Sequence, residues 1–193
     1  MATAISTEQL KELRARTGAG IVDCRNALQQ AGGDLEKAAE ILRAKGLAIA
    51  EKKAARTAGE GLIDAYIHTG GKLGAMVEVN CETDFVARTD EFRRLARDLA
   101  MQIAAAAPQY VSREEIPAGT LEEQRSRIAE ESADRPAAAV EGRLEKWLGE
   151  VVLLEQPFIK DEDRRVKDVI TEAVARIGEN IKVRRFARFR IGE

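Results

Sequence analysis

Glu78-Val79-Asn80-Cys81-Glu82-Thr83-Asp84-Phe85-Val86-Ala87-Arg88 changes its apolar period halfway along. Up to Cys81 the run from Lys72 alternates, with Leu73, Ala75, Val77 and Val79 on one face and Met76 on the other, which predicts a strand. From Thr83 the chain turns helical, with Thr83 or Asp84 available as the N-cap. Beyond Thr89, Phe92, Leu95, Ala96, Leu99 and Ile103 recur at helical spacing until Pro108. On the upstream side, Leu62–Thr69 is a second β-rich run, set off by Gly70-Gly71, a two-residue hairpin signal. An antiparallel hairpin that hands over directly to helices predicts an α+β fold with a small antiparallel sheet.

Downstream, Leu121–Glu131 and Ala137–Glu150 read as a helical hairpin within about 119–150. Its first helix has so few apolar positions that it reads as a projecting, solvated arm. Val166, Val169, Ile170, Ala173, Val174 and Ile177 mark a last helix, stopped by Gly178. Asn180–Ile191 is a final strand, in which Ile181, Val183, Ala187, Phe189 and Ile191 alternate as the buried face. Because the second hairpin run is apolar on both sides, the sheet needs cover on both. The helices over 92–103 and 166–177 supply one cover, and a second copy of the chain is the expected other, through an isologous contact.

Upstream lie three short helices. Ser6-Thr7-Glu8-Gln9 has capping-box spacing, and Thr17-Gly18-Ala19-Gly20 breaks the first helix. Ile21, Cys24, Ala27, Leu28 and Ala31 stripe the second, and Gly32-Gly33 stops it. Asp34 caps a third, which carries Leu35, Ala38, Ala39 and Leu42 and ends near Gly46. The expected organisation is a three-helix bundle over 1–46, a basic linker over 47–60 that is open to being helical in part, and a core over 61–193.

At 193 residues the chain can bury a core without disulfide or metal staples. Two cysteines, Cys24 and Cys81, far apart and outside any CxxC, fit a reducing compartment. One histidine, His68, cannot build a His-rich metal site. No signal peptide or membrane-length apolar run is present, so a cytoplasmic location and no membrane contact are expected. A net charge of −2 argues against a chain whose main task is holding nucleic acid. There is no GxxxxGK[ST] and no GxSxG, Gly18-Ala19-Gly20 reads as a turn, and a Cys81–His68 pair across the hairpin lacks a third orienting group. These readings favour a binding protein over an enzyme, with no cofactor and no metal.

Residues Glu78–Arg88 resemble, without a mismatch, the core signature of the translation elongation factor Ts family. Leu13–Leu28 resembles its N-terminal signature, with Arg25 where the family usually has lysine. Charge is kept there, but a planar guanidinium replaces an ammonium. Family-like sequence returns in Gly142–Ile159 and Ile177–Ile181, so nearly the whole chain is covered. One copy of the core subdomain looks like the compact form, where long-form members carry two. The resemblance implies that the N-terminal bundle, similar to ubiquitin-associated domains, docks on the nucleotide domain of the elongation factor Tu GTPase.

It also implies a set of partner-binding residues. Asp84 and Phe85 would push in near the GTPase's magnesium and phosphate site, where the rival reading has Phe85 packing under its own helix. Arg14, Ile21 and Val22 would dock on the same domain; Ile21 also reads as bundle core, whereas Val22 lies off the stripe. His68 at the hairpin end is similar to a histidine that faces the GTPase. The implied activity is guanine nucleotide exchange, promoting GDP release so that GTP can bind. Two rivals stand beside it. One is an RNA- or ribosome-binding module using Lys182, Arg184, Arg185, Arg188 and Arg190 interleaved with Phe186 and Phe189; the other is a scaffold for a different protein.

Overall fold

Ser6 starts the first helix as its spacing predicts. Its Oγ accepts from Gln9 N at 3.1 Å and its own N–H donates to Gln9 Oε1 at 2.9 Å. The computed structural model describes residues 5–131 and 137–193, and the joining segment of the expected helical hairpin lies outside them. Helix α1 (Thr7–Thr17) closes on Gly18, whose left-handed φ of 65° an L side chain rarely adopts. Helices α2 (Ile21–Gln30) and α3 (Leu35–Ala54) follow, the latter capped by Asp34. Leu13, Cys24, Ala27, Leu28, Ala38 and Leu42 form the bundle's own small core.

The third helix does not stop near Gly46; it runs on to Ala54 through the segment read as linker. Gly46 serves close packing instead, since a Cβ placed there would sit 3.5 Å from Ala175 Cβ on the last long helix. Ala50, one turn further on, packs against the main core. One continuous helix thus carries the bundle and joins it to the rest.

Strands β1 (Glu60–Ile67) and β2 (Leu73–Cys81) pair antiparallel from Glu60↔Cys81 to Ile67↔Gly74. Their loop is wider than the expected two-residue turn, because the bond from His68 N to Leu73 O closes it outside Gly70 and Gly71. Next come the single turn α4 (Asp84–Ala87), then α5 (Asp90–Ala106), α6 (Ala118–Glu130) and α7 (Ala137–Val151). A small hairpin of β3 (Pro157–Phe158) and β4 (Asp161–Arg165) leads into α8 (Val166–Ile177) and β5 (Lys182–Arg190). The three-stranded sheet has the order β1-β2-β5, so the fold is α+β as expected. The stripe Phe92, Leu95, Ala96, Leu99, Ile103 is buried throughout and, with α8, covers one face of the sheet. Among the described residues no helix is long and apolar enough to cross a membrane.

Helices α6 and α7 hold a separate small core of Ile116, Ile128, Leu144, Leu148, Val151 and Val152. Two buried amides fasten the root of this arm. Gln102 donates to Gln156 Oε1 at 3.0 Å and to Pro157 O at 3.1 Å, and Gln156 donates to Glu150 O at 2.8 Å. Every one of these buried polar groups is therefore matched.

The final strand departs from its expected alternation. The register shifts opposite Glu78/Val79, because Val79 pairs with Val183 and Glu78 with Arg185, which leaves Arg184 as the extra residue of a β-bulge. One inserted residue reverses which side chains face inward. Ile181 and Val183 point in before the bulge, Phe186 and Arg188 after it, and Phe189 and Ile191 stand outside. Arg188 uses its inward position to donate from Nε to Ala104 O at the C-terminal end of α5, a favourable place for a cation. Arg185 bonds Glu78 at 2.7 Å, and Arg188 and Arg190 both reach Glu193, so the basic stripe is partly neutralised. The sheet's other face is left with Ile63, Ile67, Met76, Phe189 and Ile191 exposed.

Candidate partner-binding site

Strand β2 ends at Cys81, and two residues later Thr83 caps α4 by accepting from Val86 N at 3.4 Å. Of the four residues of this turn, Ala87 is buried and Val86 packs against the main core. Asp84 and Phe85 are therefore turned outward. Phe85 is 77% exposed, whereas Phe92, seven residues on, is 0% exposed. That contrast excludes packing under its own helix as the reason for Phe85. Asp84 Oδ2 accepts from Arg88 Nη2 at 2.6 Å, one turn along.

The corner is held from outside by a crossed pair of carboxylates that the sequence reading did not single out. Glu179 Oε2 accepts from Glu82 N and Thr83 N, both at 3.0 Å, and its Oε1 accepts from Thr83 Oγ1 at 2.6 Å. In return Glu82 Oε1 accepts from Asn180 N at 2.7 Å, and its other oxygen pairs with Arg56 at 3.5 Å. The Asn180 N–H and the nearby Arg56 hold the Glu82 carboxyl below its ordinary range. Asn180 Nδ2 also donates to Arg56 O at 2.7 Å and to Ala54 O at 3.4 Å, and the Lys53 ammonium donates to Gly178 O. Only three-dimensional pairing reveals these roles, because Glu82 and Glu179 lie far apart in sequence.

The second group of expected contacts sits at the α1–α2 turn. Ile21 is 55% and Val22 66% exposed, so Ile21 is not bundle core and the stripe begins at Cys24. Ala19, just before α2, packs against the bundle core where Ile21 was an alternative candidate. Arg14 is exposed on α1 and lines a cleft of ≈ 530 Å³ between bundle and core, together with Arg43, Glu172 and Arg176. Burial raises the Glu172 carboxyl above its ordinary value although Arg164 lies 2.5 Å away. A Cβ at Gly18 would meet Arg176 Cδ at 2.8 Å, and Arg176 is bonded to Glu91 of α5 at 2.6 Å. The end of α8 thus supports both sites, with Arg176 beneath the α1–α2 turn and Glu179 beneath the Phe85 corner.

His68 stands apart from both. It is exposed at the far end of the β1–β2 hairpin, with Nδ1 3.0 Å from Tyr66 Oη. The length of β2, Leu73–Cys81, separates it from the corner, about 26 Å over eight steps at about 3.3 Å per residue. The same separation rules out a Cys81–His68 pair. Cys81 Sγ donates to Thr83 O at 3.2 Å, and burial pushes its thiol up to about 11. Burial likewise raises the Cys24 thiol. Neither is poised as a nucleophile. No group of three or more His, Cys, Asp or Glu that could hold a metal ion occurs among the described residues.

An outward aromatic at the α4 corner and an outward aliphatic pair at the α1–α2 turn are thus the exposed large apolar groups of these two braced turns. The family model described as Elongation factor TS matches residues 26–193. The chain is 58% identical over 195 residues to Elongation factor Ts of Carboxydothermus hydrogenoformans, covering 98% of this chain and 90% of that one. It is 55% identical to Elongation factor Ts of Caldanaerobacter subterraneus subsp. tengcongensis (98% of each chain). Against Elongation factor Ts of an Anaeromyxobacter species it is 53% identical, over 98% and 89%.

Proposed function

Because this chain belongs to the elongation factor Ts family, we propose that it is the guanine nucleotide exchange factor of elongation factor Tu, releasing GDP so that GTP can bind. The observation that carries this reading is Phe85, a large aromatic 77% exposed on a braced corner next to Asp84. An aromatic held in water by its own backbone is an anchor awaiting a pocket. Ile21, Val22 and Arg14 at the α1–α2 turn offer a second contact on the same GTPase, and His68 a third, more remote one. The bundle over 1–46 is the docking unit, and α3 is its stalk.

Exchange needs no proton transfer. A factor that binds the nucleotide-free GTPase more tightly than the GDP form must weaken GDP by the same ratio. Asp84 and Phe85 supply such a difference if they occupy space that the magnesium and phosphate contacts need. The linkage is directly measurable. Calorimetry is expected to give tighter binding of this chain to nucleotide-free elongation factor Tu than to its GDP form, and no binding of GDP to this chain alone. Equal affinity for the two forms contradicts the proposal.

A homodimer belongs to the same reading. The sheet's outer face presents Ile63, Ile67, Met76, Phe189 and Ile191, and no other element of the described chain covers it. Contiguous apolar groups of this kind mark an interface, and a twofold contact between identical faces closes on itself. Light scattering at micromolar concentration should therefore give the mass of two chains, held without a disulfide because both cysteines are buried. Met76→Lys should return the mass of one. A single-chain mass for the unaltered protein excludes the dimer.

A further inference from the structure

We infer that Glu179 is a positioning residue for exchange, one that fixes the direction in which Phe85 points through the crossed Glu82–Glu179 pair. The inference rests on the exchange reading and adds a residue to it. Helix α4 spans four residues, Asp84–Ala87, too short to hold its own geometry. Its direction must come from outside. All three bonds accepted by Glu179 come from Glu82 and Thr83, the N-cap of α4 and the residue before it.

The reciprocal half of the pair reaches the docking bundle. Glu82 holds Asn180 N and Arg56, and Asn180 holds the carbonyls of Ala54 and Arg56 at the end of α3. One node therefore fixes the corner that carries Phe85 and the stalk that carries Ile21 and Val22. A partner gripped at two points needs them at a constant spacing. If the node loosens, the bundle can still dock, but the wedge no longer arrives aligned. The expected signature is a fall in kcat with KM preserved, because the lost interaction is made only as GDP leaves.

The chemistry of the bonds separates two variants. In Glu179→Gln the side-chain oxygen can still accept from both backbone N–H groups, while the amide can donate to Thr83 Oγ1, which has acceptor capacity. Glu179→Ala leaves the same groups unmatched.

The test is steady-state GDP exchange on elongation factor Tu by the full chain, with activities expressed per folded molecule from a melt of each variant. Glu179→Ala is expected to lower kcat by about tenfold with KM for the GTPase changed less than about twofold, and Glu179→Gln to restore most of the rate. In a Phe85→Ala background, Glu179→Ala should cost less than about twofold more, because a residue that acts through Phe85 has nothing left to position. An undiminished tenfold loss in that background, or an equal loss in Glu179→Gln, overturns the inference while exchange by the unaltered chain stands. No exchange by the unaltered chain overturns the exchange reading and this inference with it.

Discussion

Phe85→Ala is expected to slow GDP release by about 30- to 1,000-fold while leaving thermal unfolding nearly unchanged. Truncating an aromatic anchor in a partner's pocket costs about 2–4 kcal/mol. Little stability is at stake, because the ring is 77% exposed and its removal opens no cavity. Phe92 supplies the internal contrast. It is 0% exposed within the main core, and Phe92→Ala should cost about 3–5 kcal/mol of folding stability. Melts and exchange assays on both variants separate the roles. A large melting loss for Phe85→Ala with normal exchange per folded molecule would place that ring in the core and remove the wedge.

Deleting the residues before Gly46 is expected to leave a soluble, cooperatively folding core that binds elongation factor Tu at least about 30-fold more weakly. The magnitude follows from losing one whole docking surface, when a single interface hot spot carries about 2 kcal/mol or more. The core should survive because the bundle's apolar cluster is separate from the main one. The remaining half of α3 keeps Ala50 against the core, and the Lys53 bond to Gly178 is retained. Calorimetry on the truncated chain, alongside its melt, reads both expectations. Undiminished affinity would assign all the binding to the Phe85 corner.

Local signals were the legible part of this molecule. The capping box at Ser6, the stripe from Phe92 to Ile103 and the stop at Gly178 depend on residues within one or two turns, and each recurs in the structure. The strand-to-helix corner was equally readable, and of its two candidate caps, Thr83 and Asp84, the structure uses Thr83. What stayed hidden was set by tertiary partners. Gly46 looked like a stop, but the close approach of α8 makes it a packing site inside a longer helix. Strict alternation in β5 put Phe189 inside, and the bulge at Arg184 put it outside, a change that depends on the register with β2. Ile21 fitted the helical stripe, but it lies in the first turn of α2, beyond the end of the bundle core.

The candidate site followed the same division. Val22 could be singled out as outward-facing because it lies off the helical stripe, whereas the outward reading of Phe85 rests on the family resemblance, its own neighbourhood being equally compatible with packing under its helix. The brace behind Phe85 could not be singled out, because Glu82 and Glu179 are ordinary surface-type residues until folding crosses their carboxylates. His68 shows the converse. It belongs to the same implied contact set, yet it stands at the opposite end of β2 from the corner. A partner touching both must extend along the whole sheet.

The most direct measurement is the release of fluorescent GDP from purified elongation factor Tu, followed with and without this chain. Catalytic amounts of the chain should accelerate release, with a rate that rises with chain concentration and then saturates, and excess unlabelled GDP should compete. A release rate unchanged at any chain concentration, from a chain whose melt shows it folded, would contradict the account at its centre.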